Sequence, residues 1–272
     1  MTKGAKWACA AFLLAALVCL GGVLFYPHPA QIPSGDSLEP PSVSHWLGTD
    51  DLGIDIFAQI CAGFFSSMGI GLAAGGLAFL LGGALGIAAG CGGKAADTAL
   101  SFVMEVLLTA PQLPVMILVG AFLGQSMWNI VWVVALFSWA PVAKIIRAKT
   151  VSLQQSGYLR LAKSYGAGPW ALFCSHMARE LMPLLCVNSL AVIGKAVLQE
   201  ASLAYLGLSD PLAKSWGMMI QKCVSFRGIY FTEYWKWWLL PPVGMLLLTV
   251  LYVRLFAREL EKIWVRGENR YV

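Results

Sequence analysis

Charged side chains are scarce in this sequence. Only 12% of its 272 residues are Asp, Glu, Lys or Arg, and 58% are hydrophobic, whereas roughly a quarter of a soluble domain is charged. Residues 56–93 and 106–143 contain no charged side chain. Because about 20 apolar residues cross the hydrocarbon core, we expect these stretches to lie in a bilayer. Backbone groups in lipid must pair within their own segment, and the alternation of a membrane barrel is missing, so the sequence predicts an all-α integral membrane protein.

Groups that perform chemistry are also few. The sequence has no G-x-x-x-x-G-K-[ST] loop for nucleotide phosphates, and its three histidines are too scattered to hold a metal together. Its seven cysteines form no C-x-x-C pair and mostly lie in apolar runs, where cysteine behaves as a small hydrophobe. We therefore expect no catalytic residue, no metal and no cofactor on this chain, which is either passive or driven by a partner.

Apolar segments define the predicted topology. Six transmembrane helices are expected, over residues 7–26, 64–91, 99–122, 128–147, 183–205 and 238–256. The first segment is longer than the apolar part of a signal peptide, and no small-residue cleavage site follows it, so we expect it to be retained. With the N-terminus inside, fourteen of the nineteen Lys and Arg residues fall in inner segments and four in outer ones. This placement predicts cytoplasmic termini, and it explains the net charge of +5 without a nucleic-acid partner.

The chain divides into three predicted parts. Residues 1–63 are expected to form the first transmembrane helix and an outer amphipathic segment, residues 64–257 the transmembrane core, and residues 258–272 a cytoplasmic tail. Four apolar residues of the outer segment recur at helical spacing: Ile54, Phe57, Cys61 and Phe64. They predict a short helix lying at the outer interface, with Thr49 or Asp50 as its N-cap.

The second predicted span has one side of small residues. Five glycines follow this side: Gly71, Gly75, Gly82, Gly86 and Gly90. Small side chains let another helix backbone approach closely. The approaching helix belongs either to this chain or to another subunit, and the pattern does not decide between them.

A polar, basic island, residues 158–183, interrupts the apolar runs. Its sequence predicts a helix over residues 158–165, a turn at residues 166–168, and a second helix that begins at Pro169 and continues into the fifth span. Such an ordered helical pair with exposed aromatic side chains is typical of a docking surface. The alternative is an ordinary solvated loop.

Several stretches resemble a known family. The island matches A-x-x-x-G followed by H-x-x-x-x-L-x-P, at Ala162, Gly166, His176, Leu181 and Pro183. The stretch HWLGTDDLGID at 45–55 resembles H-x-L-G-T-D-x-x-G-R-D, and EASLAYLGL at 200–208 with SWGMMI at 215–220 resembles E-A-S-L-S-F-L-G-L and S-W-G-x-M-[LI]. Glu105 and Pro111 match an acidic residue six positions before a proline. In this order, over residues 45–257, the sequence resembles the inner-membrane permease subunits of ABC importers, specifically the second permease of the dipeptide, oligopeptide and nickel group.

The resemblance implies a fold and a set of partners. It implies a type I ABC importer permease with six transmembrane helices and a cytoplasmic coupling helix, in the plasma (inner) membrane of a bacterium. The implied partners are a homologous second permease, two ABC ATPases that bind ATP and Mg, and an extracytoplasmic solute-binding protein. The implied cargo is a di- or oligopeptide, with nickel or a metal–chelator complex as the alternative. This chain departs from the family pattern at Arg160, which replaces Glu, at Leu161, which replaces Ala, and at Ile54, which replaces Arg.

The resemblance also assigns roles to residues. The residues implied to contact the ATPase are Tyr158, Ala162, Gly166, Ala167 and Trp170. In the outer loop, Asp210, Trp216 and Arg227 would take part in binding-protein docking or an outer gate. The alternative for this loop is an interfacial belt of aromatic residues with solvated charges.

Three charged residues lie within or near the predicted spans. They are Glu105, Lys195 and Glu200. A charge at a helix centre costs roughly 2.5–3.5 kcal/mol, so each is expected to face the protein interior or water. They are candidates for the translocation path, although a structural Glu105–Lys195 pair is equally compatible with the sequence. Glu200 is close enough to the outer end of its helix to reach the interface.

Two other classes of protein remain as alternatives. An ion-driven secondary transporter would work without an ATPase and is typically built from inverted repeats and broken helices. A membrane-embedded enzyme would require clustered catalytic groups. The sequence shows neither pattern.

Overall fold

The protein folds as a bundle of helices. The computed structural model describes residues 3–124, 126–166, 168–210 and 214–268. Within these residues the regular structure is helical, apart from one isolated antiparallel bridge between Thr49 and Asp55. The predicted all-α class is therefore confirmed.

The helices are numbered in chain order. They are α1 Lys3–Phe25, α2 Ile56–Cys91, α3 Gly93–Thr109, α4 Gln112–Leu123, α5 Met127–Gln154, α6 Gly157–Ser164, α7 Pro169–Leu172, α8 Ala178–Tyr205, α9 Trp216–Ser225, α10 Trp235–Trp238 and α11 Leu240–Glu268. A π-helical turn, Phe173–Met177, joins α7 to α8, and a 3-10 turn, Arg227–Tyr230, follows α9.

Most of the predicted spans are present. In the described part of the chain, four helical segments are long and apolar enough to cross a membrane: Ile56–Cys91, Trp128–Gln154, Phe173–Tyr205 and Trp235–Trp264. The chain bends by 91° between α3 and α4, and these two helices make a fifth span if they are taken together. The apolar part of α1, Cys9–Phe25, is shorter than the about 20 residues of a typical span. Five spans and α1 thus account for the six predicted apolar segments.

Helix α2 begins earlier than predicted. It is one continuous helix of 36 residues from Ile56, so the separate interfacial helix and the boundary at residues 63–64 are wrong. The apolar residues that suggested an interfacial helix are packed inside, since Cys61 and Phe64 are buried in a cluster with Trp216. Asp55, rather than Thr49 or Asp50, is the N-cap, because its carboxylate accepts a bond from the Ala58 amide.

The third predicted span is broken. Residues 99–122 are divided between α3 and α4 by Ala110 and Pro111, which are both extended. A residue before proline is pushed out of the helical region, and proline itself has no N–H to continue the hydrogen-bond ladder. The sequence therefore contained the signal for this break, and the prediction of one continuous helix is wrong.

The glycine face of α2 packs within this chain. A Cβ atom on Gly75 would lie 2.5 Å from Ile193 of α8, and one on Gly86 would lie 2.7 Å from the carbonyl oxygen of Ala143 in α5. The other three glycines of this face also abut α5 or α8. The interpretation as packing within one chain is thus correct, and α2 is the central helix against which α5 and α8 lie.

The bundle has two distinct ends. At the α6 end, Gly90 of α2 abuts Thr150 of α5, and α6 follows directly. At the α9 end, Gly63 of α2 abuts Trp216 of α9.

We expect Gly86→Ala to destabilise the protein. The new methyl group would meet backbone atoms of α5, which cannot rotate away, and overpacking typically costs about 1–3 kcal/mol. The matched control is Gly76→Ala, where a Cβ atom meets nothing within 4 Å. Thermal unfolding of the purified variants in detergent, monitored by size-exclusion chromatography after heating, should show a lower Tm for Gly86→Ala than for the wild type. The Tm of Gly76→Ala should not change. Equal Tm values for both variants would contradict this packing.

Candidate functional site

A helical hairpin projects at the α6 end of the bundle. Its first helix, α6, is held down by Leu159, which is buried in an apolar cluster with Leu153 and Met177. The opposite side is apolar yet exposed, with Leu161 62% and Tyr165 88% accessible. Exposed aromatic and aliphatic side chains on a short ordered helix are typical of a surface that another protein covers.

The turn of this hairpin favours glycine. Gly166 has φ +83°, in the left-handed region that side chains with a Cβ rarely adopt, and its amide donates to the carbonyl of Lys163. Pro169 then begins α7. The predicted helix, turn and second helix are therefore confirmed. Ala167 and the side chain of Trp170 lie outside the described part of the protein.

Polar contacts fasten the hairpin to the spans. The carboxylate of Glu180, in α8, accepts a hydrogen bond from the Tyr158 hydroxyl at 2.8 Å and pairs with Lys149 of α5, also at 2.8 Å. Tyr158 further contacts the ring of His176 edge-on. One carboxylate thus joins α5, α6 and α8. Sequence analysis missed Lys149 and Glu180 because residues this far apart carry no local pattern.

Two of the three departures from the family pattern, Arg160 and Leu161, lie on the exposed part of α6. Arg160 donates through its guanidinium to the carbonyl oxygen of Gln155, at 3.1 and 2.5 Å, and remains exposed. Leu161 beside it is also exposed, while Ala162 is half-buried. The hairpin therefore presents a cation where the family pattern has a carboxylate.

The intramembrane residue Lys195 is paired with a neutral group. Its ammonium donates to Gln112 Oε1 at 2.8 Å, and Gln199 Nε2 reaches the same oxygen at 3.3 Å. Glu105 is exposed on α3, so the possible Glu105–Lys195 pair is not formed. Gln112 is the first residue after the break between α3 and α4, which places its amide against α8.

The two halves of the E-A-S-L and S-W-G pattern meet at the α9 end. Glu200 is fully buried and its Oε1 accepts from the Ser215 hydroxyl at 2.6 Å. Ser215 also caps α9 by accepting from the Met218 amide. The expectation that Glu200 reaches the interface is therefore wrong, because this carboxylate links α8 to α9 inside the protein.

Trp216 belongs to the same buried junction. Its indole Nε1 donates to the carbonyl of Ile60 at 3.2 Å, and its backbone amide donates to Ser67 at 3.3 Å. A side chain that is fully buried offers no surface to a docking protein, so direct docking through Trp216 is ruled out in this conformation. The roles of Asp210 and of the exposed Arg227 in docking or gating stay predictions.

The stretch 45–55 forms a hydrogen-bonded loop before α2. Asp55 Oδ2 contacts His45 Nδ1 at 2.8 Å and accepts from the Tyr26 hydroxyl at 2.9 Å. Burial, and then the bond to this carboxylate, raise the pKa of Tyr26 to about 12. Asp50 accepts from the amides of Leu52 and Ile54. These acidic residues therefore order the loop itself.

Together, these features define a class of protein. Apolar spanning helices, a hairpin presented at one end and a buried polar junction at the other describe a multi-pass integral membrane protein. The chain belongs to the family of binding-protein-dependent transport system inner membrane components, whose model matches residues 82–258. This membership decides against an ion-driven secondary transporter, although the break between α3 and α4 is a feature that such transporters share.

Relatives named for peptide and nickel transport match most of the chain. The probable D,D-dipeptide transport system permease DdpC of Escherichia coli is 32% identical over 231 residues, which are 84% of this chain and 76% of the relative. The oligopeptide transport system permease OppC of Bacillus subtilis is 31% identical over 213 residues, 78% of this chain and 68% of the relative. The nickel transport system permease NikC of Escherichia coli is 33% identical over 210 residues, 76% of each chain.

We expect Ser215→Ala to weaken the junction at the α9 end. The substitution removes the cap of α9 and the bonding partner of the buried Glu200, and an unsatisfied buried acceptor costs about 1–3 kcal/mol. The control is Ser225→Ala, at the exposed end of the same helix. Limited proteolysis of membranes should cleave the Ser215→Ala chain faster near α9. Identical cleavage of the two variants would show that the Glu200–Ser215 bond contributes little.

Proposed function

We propose that this chain is a permease subunit of an ATP-driven importer and forms half of the translocation path for di- or oligopeptides. The observation that carries the proposal is the projecting hairpin. It presents exposed Leu161 and Tyr165 from a helix that is tied to two spanning helices through Glu180. The relatives named for dipeptide and oligopeptide transport support a peptide cargo. The relative named for nickel transport keeps nickel or a metal–chelator complex as the second candidate.

The proposed assembly supplies what this chain lacks. A homologous second permease would complete the path, and two ABC ATPases would bind ATP with Mg and hydrolyse it. An extracytoplasmic binding protein would deliver the cargo. In this arrangement the chain itself is a non-catalytic subunit, and its α6 end and both termini face the cytoplasm. The excess of Lys and Arg in the segments at that end supports this orientation.

The contacts around Glu180 suggest how force is transmitted. When the ATPases close, the hairpin would move with them, and the Tyr158–Glu180–Lys149 contacts would carry this displacement to α5 and α8. Both helices pack closely on the glycine face of α2, so the three would move together as one rigid unit. At the far end, the Glu200–Ser215 bond would pass the motion of α8 to α9.

We expect Gly166→Pro to uncouple ATP hydrolysis from uptake. Proline holds φ near −65° and has no N–H, so it fits neither the φ of +83° nor the bond to Lys163. A distortion of about 1–3 kcal/mol at the turn corresponds to roughly a five- to 150-fold loss of coupled uptake. Transport and ATP hydrolysis would be measured in proteoliposomes that contain the whole assembly.

The control for this test is Gly166→Asn, since asparagine tolerates the left-handed region better than other side chains. It should keep most of the uptake. Both variants should insert and co-purify with the second permease. Normal uptake by the Gly166→Pro assembly would overturn the assignment of this hairpin as the coupling element.

A further inference from the structure

Between residues 188 and 202, the side chains that the spanning helix α8 exposes are small or polar. Ala191, Lys195 and Ser202 are exposed on it, and Asn188 is half-buried. At 3.6 residues per turn these four residues lie within about 60° of one another. The large apolar side chains that α8 exposes, Met182 and Tyr205, lie near its two ends.

Other helices show what a lipid-facing side looks like in this protein. Helix α11 exposes Leu247 and Leu251, and α2 exposes Leu72 and Leu80. A polar stripe with a lysine cannot replace such leucines at low cost in hydrocarbon. We therefore conclude that the exposed side of α8 borders water or another protein.

Lys195 lies deep within the span. It is ten residues from the end of α8 at Tyr205, or about 15 Å along the helix, which is half the thickness of the hydrocarbon core. An ammonium has three donors, and Gln112 Oε1 accepts one of them at 2.8 Å. Among the described residues, the carboxylate that the sequence offered as a partner, Glu105, does not pair with it.

A second group beside Lys195 is incompletely bonded. Gln199 is only 7% exposed, and its Nε2 donates to Gln112 Oε1. Within the described part of the chain, its Oε1 is buried and has no hydrogen-bond partner. A buried amide oxygen left in this state is costly, and because the chain itself encloses it, the junction of Gln199 with Gln112 and Lys195 is not optimised for folding alone.

We propose that Lys195, Gln112 and Gln199 form a site that receives the carboxyl-terminal end of a peptide as it crosses the membrane. The exposed Lys195 provides a cation for the terminal carboxylate, and the buried Gln199 supports Gln112 through its Nε2. Gln112 holds both side chains in place from the break between α3 and α4. This inference rests on the proposed peptide-import function and names the part of the cargo that the path recognises.

The test uses the complete transporter in proteoliposomes. The cargo is a mixed tripeptide library, supplied both as free acids and as C-terminal amides, at saturating binding protein. Uptake is measured by mass spectrometry of the vesicle contents, together with ATP hydrolysis stimulated by loaded binding protein. The variants are Lys195→Met, which removes the charge, Lys195→Arg, which keeps it, and Ser202→Ala as a control on the same side of α8.

We expect Lys195→Met to reduce uptake of the free acids about tenfold, as expected for loss of one charge-assisted hydrogen bond. Lys195→Arg and Ser202→Ala should keep most of it, and stimulated ATP hydrolysis should stay unchanged in all three. Amides that the wild type accepts should be taken up equally by the wild type and by Lys195→Met.

Other results would overturn the proposal in distinguishable ways. If Lys195→Met transports free acids normally, or loses acids and amides equally, the residue does not recognise a carboxylate. If stimulated ATP hydrolysis falls in parallel with uptake, or the second permease no longer co-purifies, Lys195 has a structural role, such as a pair with the partner permease. If the wild type takes up no peptide of either library, the proposed peptide cargo itself fails.

Discussion

The close approach of α5 and α8 to the glycine face of α2 is the constraint on which the rest of the structure depends. At Gly86 even one methyl group would meet the backbone of α5, and at Gly75 it would meet Ile193 of α8. In a bilayer, helices gain little from the hydrophobic effect when they associate, so such contacts between backbones supply much of the packing. They also determine the distance between α5 and α8, which between them carry Lys149, Glu180 and Lys195.

Helix α8 runs from the hairpin to the junction with α9, and different contacts hold its two ends. Near the hairpin, Glu180 makes two charge-assisted contacts, with Lys149 and Tyr158, and is partly accessible. At the far end, Glu200 is fully buried and bonded to Ser215. An exposed pair can exchange partners with water at small cost, whereas breaking a buried one leaves a carboxylate without compensation. We therefore expect the junction with α9 to stay closed around Trp216 when α8 moves.

Patterns within single segments of the sequence predict much of the fold, but they do not predict contacts between residues that are far apart in the chain. The turn at Gly166 and the start of α7 at Pro169 follow from the backbone preferences of glycine and proline, and both are confirmed. The break at Ala110 and Pro111 has the same type of signal, but it was hidden inside a long apolar run. The joining of Lys149, Glu180 and Tyr158 depends on how α5 and α8 pack, and no spacing within one segment encodes that packing.

The three intramembrane charges show why sequence alone could not assign their roles. Each is expected to avoid lipid. This expectation applies equally to a buried residue that stabilises the fold and to a residue that lines the translocation path. The structure separates them by what surrounds each one. Glu200 is enclosed and bonded to a serine, and Glu105 is exposed on α3 without meeting Lys195. Lys195 alone combines exposure near the middle of a span with a neighbouring amide oxygen that has no partner among the described residues. The bond of Glu200 to Ser215 lies inside the fold, whereas Lys195 is exposed and held by neutral amides, which is why the proposed recognition of a peptide carboxylate is assigned to Lys195.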